Sequence, residues 1–190
     1  MTNPIQWESD MTHALDMAKK EGKPVLLDFF NPGWIGCQQM DAVTYPDAAV
    51  IDFISDALIA LRVPSDSKPI SDDFNVKWTP TLITLGPGGQ EHHRTVGFLE
   101  PKELIARLLL GEGKYFFDND KFPEALKALE KILADYRNTD AVQEAIYLRG
   151  VNQYKNTGDP LPLKAAYETL SKDFPEGEWT KRAYPYRLIG

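Results

Sequence analysis

The sequence predicts a two-part chain, an α/β domain with a mixed sheet flanked by helices followed by an all-α segment of helical repeats. In the first part, apolar runs of strand length alternate with amphipathic helical patterns, and two of those runs flank the turn sequence Gly86-Pro87-Gly88-Gly89. Alternation that closes with a hairpin is typical of a mixed sheet covered by helices. After Gly111 no strand pattern recurs. We therefore predict domains at residues 1–111 and 112–190.

The elements of the first part follow one another with clear start and stop signals. Asp10–Lys20 has one apolar helical face, and Gly22 can end that helix. Val25–Phe30 is an apolar run broken by Asp28, which suits a central strand buried on both faces. The other predicted elements are a helix starting at Gln38–Met40, a helix after Pro46, a strand over Ala57–Val63, a loop or short helix over Ser65–Asp73, strands over Thr81–Leu85 and Glu91–Phe98, and a helix from Glu100.

The second part shows helical periodicity that repeats. Apolar residues between Phe122 and Tyr136 form the stripe of an amphipathic helix, and further helices are predicted over Asp140–Thr157 and Pro160–Phe174. The run Ala128-Leu129-Glu130 returns 38 residues later as Ala166-Tyr167-Glu168. A period of this length in paired helices indicates a helical repeat, and such arrays present surfaces to other proteins.

Composition excludes several function classes. The formal net charge is −7, and no basic patch of the kind that binds phosphate backbones is found, so we expect no nucleic-acid partner. No apolar run approaches the roughly 20 residues of a membrane span. The first ten residues lack a basic stretch followed by an apolar one, which predicts a cytoplasmic protein. A periplasmic or secreted protein whose signal peptide had been removed would look the same.

The segment from Val25 to Met40 resembles the active-site segment of thioredoxin-like proteins with its first cysteine missing. Those proteins place C-x-x-C between a buried strand and a helix; here Trp34 stands at the first position and Cys37, the chain's single cysteine, at the second. Asp28 matches the family's buried acid, and Trp78-Thr79-Pro80-Thr81 matches its cis-proline loop. The resemblance spans roughly residues 5 to 110 and implies a thioredoxin-like fold.

The resemblance leaves two interpretations for the candidate catalytic residues. In the family, the second cysteine resolves a mixed disulfide, and the buried acid accepts its proton. Cys37 is therefore either an inert core thiol or a monothiol able to form mixed disulfides. Asp28 is either a proton acceptor or a buried carboxylate satisfied by its neighbours. Since Trp34 cannot attack a disulfide, we expect no dithiol turnover.

The same loop predicts a peptide site. In relatives, the residue before the cis-proline offers backbone groups to an extended peptide, which here assigns that role to Thr79 beside Pro80. Trp34 and Trp78 are expected on either side of that loop, where two indoles suit an apolar peptide groove. Alternatively, Trp34 fills the space and closes the groove. His92 and His93 are adjacent on a strand and face opposite sides, and there is no Cys/His cluster, so we expect no metal site and no cofactor.

Three functional hypotheses follow. The first is a redox-degenerate adaptor or chaperone-like module that binds a protein or peptide partner through the groove and through helical repeats that resemble tetratricopeptide repeats. The second is a monothiol redox protein of thioredoxin type that uses Cys37. The third is a subunit whose partner chain supplies the missing thiol. Exposure of Cys37 distinguishes the first two.

Overall fold

The computed structural model describes residues 4–190. The chain forms two compact units, Met1–Gly111 and Glu112–Gly190. Met1 to Asn3, part of the stretch on which the cytoplasmic prediction depends, lie outside the described residues.

The first unit is built on a four-stranded mixed sheet. Its strands are β1 (Val25–Phe30), β2 (Ile59–Pro64), β3 (Thr81–Leu85) and β4 (Glu91–Val96), in the order β2-β1-β3-β4. Strand β1 pairs parallel with β2 and antiparallel with β3, and β3 pairs antiparallel with β4. The predicted mixed sheet, its central strand and the closing hairpin are confirmed.

The helices of this unit are α1 (Met11–Glu21), α2 (Ile35–Gln39), α3 (Ala48–Ala57) and α4 (Ile70–Asp73), with a π-helical turn, Met40–Thr44, after α2. Helix α5 (Pro101–Asp118) begins in this unit and continues past Gly111. The Asp10 side chain accepts a hydrogen bond from the His13 N–H and caps α1. Asp47 caps α3 in the same way. Helix α2 begins three residues before the predicted Gln38, because its N-cap is Trp34, whose side chain gives no capping signal.

The core explains the continuous apolar run of β1. Val25, Leu27 and Phe29 belong to a buried cluster that includes Ala14 and Ala18 of α1. The intervening residues Leu26 and Asp28 face the opposite side of the sheet and are also buried. A strand covered on both faces has no polar alternation, and this places the carboxyl group of Asp28 inside the protein.

Helix α5 continues through the glycines that the sequence suggested as a domain boundary. A Cβ on Gly111 would lie 2.2 Å from Thr84 Oγ1, and one on Gly113 would lie 3.1 Å from a methyl carbon of Leu129. These glycines therefore permit close packing within their own units and do not end the helix.

The second unit is helical. It contains α6 (Phe122–Asp135), α7 (Ala141–Thr157), α8 (Leu161–Asp173) and α9 (Glu178–Ala183), followed by a 3₁₀ turn, Tyr184–Leu188. The predicted helical segment is confirmed, whereas α9 and the final turn were not predicted. Nowhere in residues 4–190 is there a helix with the length and apolar character needed to cross a membrane.

Candidate functional site

The loop between β1 and α2 is organised by Asn31. Its side-chain Oδ1 accepts from the Gly33 N–H at 2.9 Å, and its carbonyl accepts from the Trp34 N–H at 3.0 Å. The Asn31 N–H donates to Cys37 Sγ at 3.4 Å. Asn31 thus fixes the turn that presents Trp34 and holds the sulfur of Cys37. Sequence reasoning did not select Asn31, although asparagine is common at turns for this reason.

Cys37 is enclosed by the protein. It is the third residue of α2, and only 1% of its surface is exposed. A thiol must be accessible to attack a disulfide or to receive a modifying group. In this conformation the protein covers almost the whole surface of Cys37, which favours a core role.

Trp34 and Trp78 form one exposed aromatic pair. Their ring centroids are 5.0 Å apart and the ring planes meet at 81°, an edge-to-face contact. Trp34 is 40% exposed and Trp78 is 57% exposed. We expected the two indoles on either side of the proline loop; the structure brings them into direct contact with each other.

A groove of about 280 Å³ opens beside this pair, and we call it the Trp34–Trp78 groove. It is lined by Asn31, Trp34, Ser65, Val76, Lys77, Trp78 and Thr79. Trp34 therefore forms a wall of the groove and leaves it open. Pro80 is buried next to this lining. Sequence reasoning did not identify Lys77 or Ser65 as lining residues, because neither belongs to a recognisable motif.

The Thr79–Pro80 peptide bond is cis. Around it, the Gly97 N–H donates to the Pro80 carbonyl at 2.9 Å, and Thr81 Oγ1 donates to the Trp78 carbonyl at 2.6 Å. A Cβ on Gly36 would lie 3.1 Å from Pro80 Cδ, so glycine allows the first turn of α2 to approach the loop. Within residues 4–190, neither the N–H nor the carbonyl of Thr79 is hydrogen-bonded to another residue.

Asp28 lies in a buried polar cluster on the other side of β1 from α1. One carboxylate oxygen, Oδ2, accepts from the Tyr45 hydroxyl at 2.9 Å and from Arg62 Nε at 3.0 Å. Arg62 also contacts Asp41 at 2.8 Å, and its guanidinium lies 4.2 Å from the ring centre of Phe30. This places a cation between two carboxylates and an aromatic face.

The second carboxylate oxygen of Asp28, Oδ1, is buried and has no hydrogen-bond partner among the described residues. Burial raises the pKa of Asp28 from 3.8 to about 6, against the opposing effects of Arg62 and Tyr45. Neither interpretation of Asp28 from the sequence predicted a carboxylate with one hydrogen-bonded oxygen and one oxygen without a partner among the described residues. Arg62 and Tyr45 are distant from Asp28 in the chain, so their contacts could not be predicted.

The remaining candidates are not brought together. His92 and His93 lie on β4, the edge strand of the sheet. No group of three or more His, Cys, Asp or Glu residues capable of holding a metal ion occurs in the part of the chain that the structure describes. The structure therefore brings together Trp34, Trp78 and Thr79 around one groove, with Cys37 enclosed nearby and Asp28 buried beneath the sheet surface.

Comparison with known proteins agrees with this architecture. A family model described as a thioredoxin-like domain matches residues 11–111. Among curated proteins, the chain is 29% identical over 110 residues to the thiol:disulfide interchange protein DsbD of Shigella boydii, and 25% identical over 109 residues to DsbD of Pseudomonas fluorescens. These matches cover 55% and 54% of this chain and 19% of each relative, so the chain spans about a fifth of their length.

Solved structures show the same fold over the first unit. A solution structure of a proposed disulphide-isomerase from Bacteroides thetaiotaomicron has a TM-score of 0.52 and 23% identity, covering 58% of this chain and 95% of that one. A thioredoxin from Thermus thermophilus has a TM-score of 0.50 and 24% identity, covering 57% and 85% of the two chains. The family match ends at residue 111, so residues 112–190 lie outside it.

Proposed function

Since the chain belongs to the thioredoxin-like domain family through residues 11–111, we propose that it is a redox-silent member of that family. Its function is that of a protein-binding adaptor or chaperone-like module. The Trp34–Trp78 groove binds an extended segment of a partner protein. The observation that carries this proposal is an open aromatic groove beside an enclosed thiol.

The absence of a second thiol supports the redox-silent assignment. Disulfide exchange that turns over needs an attacking thiolate and a resolving one in the same site. Trp34 occupies the position of the first, and Cys37 is the chain's single cysteine and is 1% exposed. The first unit therefore exposes neither an attacking thiol nor a resolving thiol.

The geometry around Thr79 supports peptide binding. A backbone N–H and carbonyl that bond to no residue in the described range 4–190 can pair with an added strand, which is how an extended peptide joins a backbone edge. The adjacent indoles offer apolar surface to a side chain of that peptide. Backbone pairing does not depend on the sequence of the bound segment, whereas the indoles favour segments with an apolar side chain. A chaperone-like site requires both properties.

The helical unit supports a second protein-binding surface. Helices α6 and α8 end at Asp135 and Asp173, 38 residues apart. Positions separated by the same 38 residues are buried in both copies, namely Ala125 and Leu163, Ala128 and Ala166, Ile132 and Leu170, Val142 and Thr180, and Ala145 and Ala183. This correspondence favours tetratricopeptide-like repeats, which commonly present surfaces to other proteins.

The alternative function is a monothiol redox protein, and the named relatives favour it. The matched curated proteins are thiol:disulfide interchange proteins, and the Asn31 N–H donates a hydrogen bond to Cys37 Sγ, so the sulfur has a polar neighbour. The enclosure of Cys37 opposes it. Because the adaptor binds without covalent chemistry, a probe that has no free thiol separates the two functions.

We expect Trp78→Ala to weaken binding of a permanently unfolded protein. The probe is fluorescently labelled lactalbumin that has been reduced and carboxymethylated, measured by anisotropy. Truncating an aromatic residue at the centre of a binding site costs on the order of tenfold in affinity. Val43→Ala is the matched control, since Val43 is an exposed apolar residue outside the groove lining. Equal affinity for all three proteins would refute the groove as the binding site.

A further inference from the structure

The Trp34–Trp78 groove carries one charged residue among the lining residues that the structure describes, and it is Lys77. Lys77 is exposed, and no carboxylate lies within 4.0 Å of its ammonium group in residues 4–190. Two acidic residues precede it on α4: Asp72 is engaged by Lys68, and Asp73 is exposed. An ammonium group with no carboxylate partner among the described residues places a local positive charge in the lining of this groove.

The positive charge of Lys77 is opposite in sign to the net charge of the first unit. Residues 1–110 contain 9 Lys and Arg against 15 Asp and Glu. The first unit therefore carries an excess of negative charge, whereas the charged side chain in the groove lining is a cation. Complementary charge at a binding surface selects among partners more than it adds affinity.

The aromatic pair alone would accept either an apolar or a cationic side chain, because indole faces attract cations. Lys77 lies in the same lining as both indoles and repels a second cation. The combination disfavours lysine-rich or arginine-rich segments and favours apolar anchors with a nearby carboxylate.

Resting on the proposed function, we infer that the groove selects extended partner segments that combine an apolar side chain with an aspartate or glutamate. The apolar side chain packs on Trp34 and Trp78, and the partner backbone pairs with Thr79. The carboxylate pairs with Lys77. Since an exposed ion pair contributes modestly, each such pair should change affinity by about two- to fivefold at low salt.

The test uses three labelled peptides, acetylated and amidated, with one valine-leucine-valine core flanked by two glutamates, two glutamines or two lysines. Affinities are measured by fluorescence anisotropy at low salt and at about 0.5 M salt, where exposed charges are screened. We expect the glutamate peptide to bind about two- to fivefold more tightly than the glutamine peptide, and the lysine peptide to bind most weakly. High salt should remove the difference.

Substitutions assign the effect to Lys77. Lys77→Gln should abolish the preference, and Lys77→Glu should reverse it. Lys20→Gln makes the same charge change at an exposed position of α1 outside the groove and should preserve the preference.

Equal binding of the three peptides, or an unchanged preference in Lys77→Gln, would overturn the inference and leave peptide binding intact. Tighter binding of the lysine peptide would also overturn it and indicate a cation-binding aromatic corner. Failure of all three peptides to bind the wild-type protein would overturn the proposed function as well.

Discussion

Trp34→Cys is expected to convert a chain that does not turn over disulfides into one that does. Position 34 is the N-cap of α2 and Cys37 lies three residues further, in its first turn, so the substitution restores the C-x-x-C spacing at a helix start. The new thiolate at position 34 would attack an insulin disulfide, and Cys37 would then attack the mixed disulfide and release the second insulin thiol. Dithiothreitol supplies the two electrons that reopen the 34–37 disulfide.

Insulin reduction, followed by turbidity, measures this gain. The wild-type protein should match the dithiothreitol background, whereas Trp34→Cys should exceed it by on the order of tenfold or more. Trp34→Ser is the matched control, because it removes the indole without adding a thiol. A wild-type rate near that of an ordinary thioredoxin would contradict the redox-silent assignment, and two thiols that stay free in Trp34→Cys under mild oxidation would show that positions 34 and 37 are misaligned.

Asp28→Asn is expected to change the pH dependence of stability by a large amount. The pKa of Asp28 is about 6 in the folded protein and 3.8 without burial. A folded-state pKa above the unfolded value means that the native state holds the proton more tightly, so this carboxyl favours folding below pH 3.8 and that contribution is lost as pH rises to about 6. At 1.36 kcal/mol per pKa unit, the loss is about 3 kcal/mol.

Urea unfolding of both proteins between about pH 4 and pH 8 checks the direction. The free energy of unfolding of Asp28→Asn minus that of the wild type should rise with pH by up to about 3 kcal/mol. Asp41→Asn makes the same chemical change at the exposed carboxylate that also contacts Arg62, and it controls for the loss of an ion pair to that guanidinium. A flat difference for Asp28→Asn would mean that Asp28 is ionised in the folded protein across this range.

Much of the fold could be predicted because its signals are local. The apolar run of Val25–Phe30 and the β-branched run of Thr81–Leu85 coincide with the observed strands, and the glycine-rich turn before Glu91 coincides with the hairpin. Gly111, where the sequence places the domain boundary, is also the last residue of the first compact unit, and helix α5 continues through it because glycine permits close packing against Thr84. The pattern alone does not separate a glycine that ends a helix from one that permits contact.

The site residues that belong to a sequence motif could be predicted. The residues that only tertiary structure brings to the site could not. Trp34, Cys37, Thr79 and Pro80 follow from the resemblance. Arg62 and Tyr45 contact Asp28 from distant parts of the chain, so their spacing in the sequence does not predict these contacts. Lys77 becomes notable through its place in the groove lining.

The central claim is that this chain binds protein segments without using its thiol. The most direct test is the affinity of the wild-type protein and of Cys37→Ala for reduced lactalbumin, prepared once with carboxymethylated thiols and once with free thiols in air. The account predicts that the dissociation constants of the wild-type protein and Cys37→Ala agree within about twofold on each probe, because the contacts that bind are noncovalent. Binding confined to the wild-type protein and the thiol-containing probe would contradict the account and establish Cys37 as the functional group.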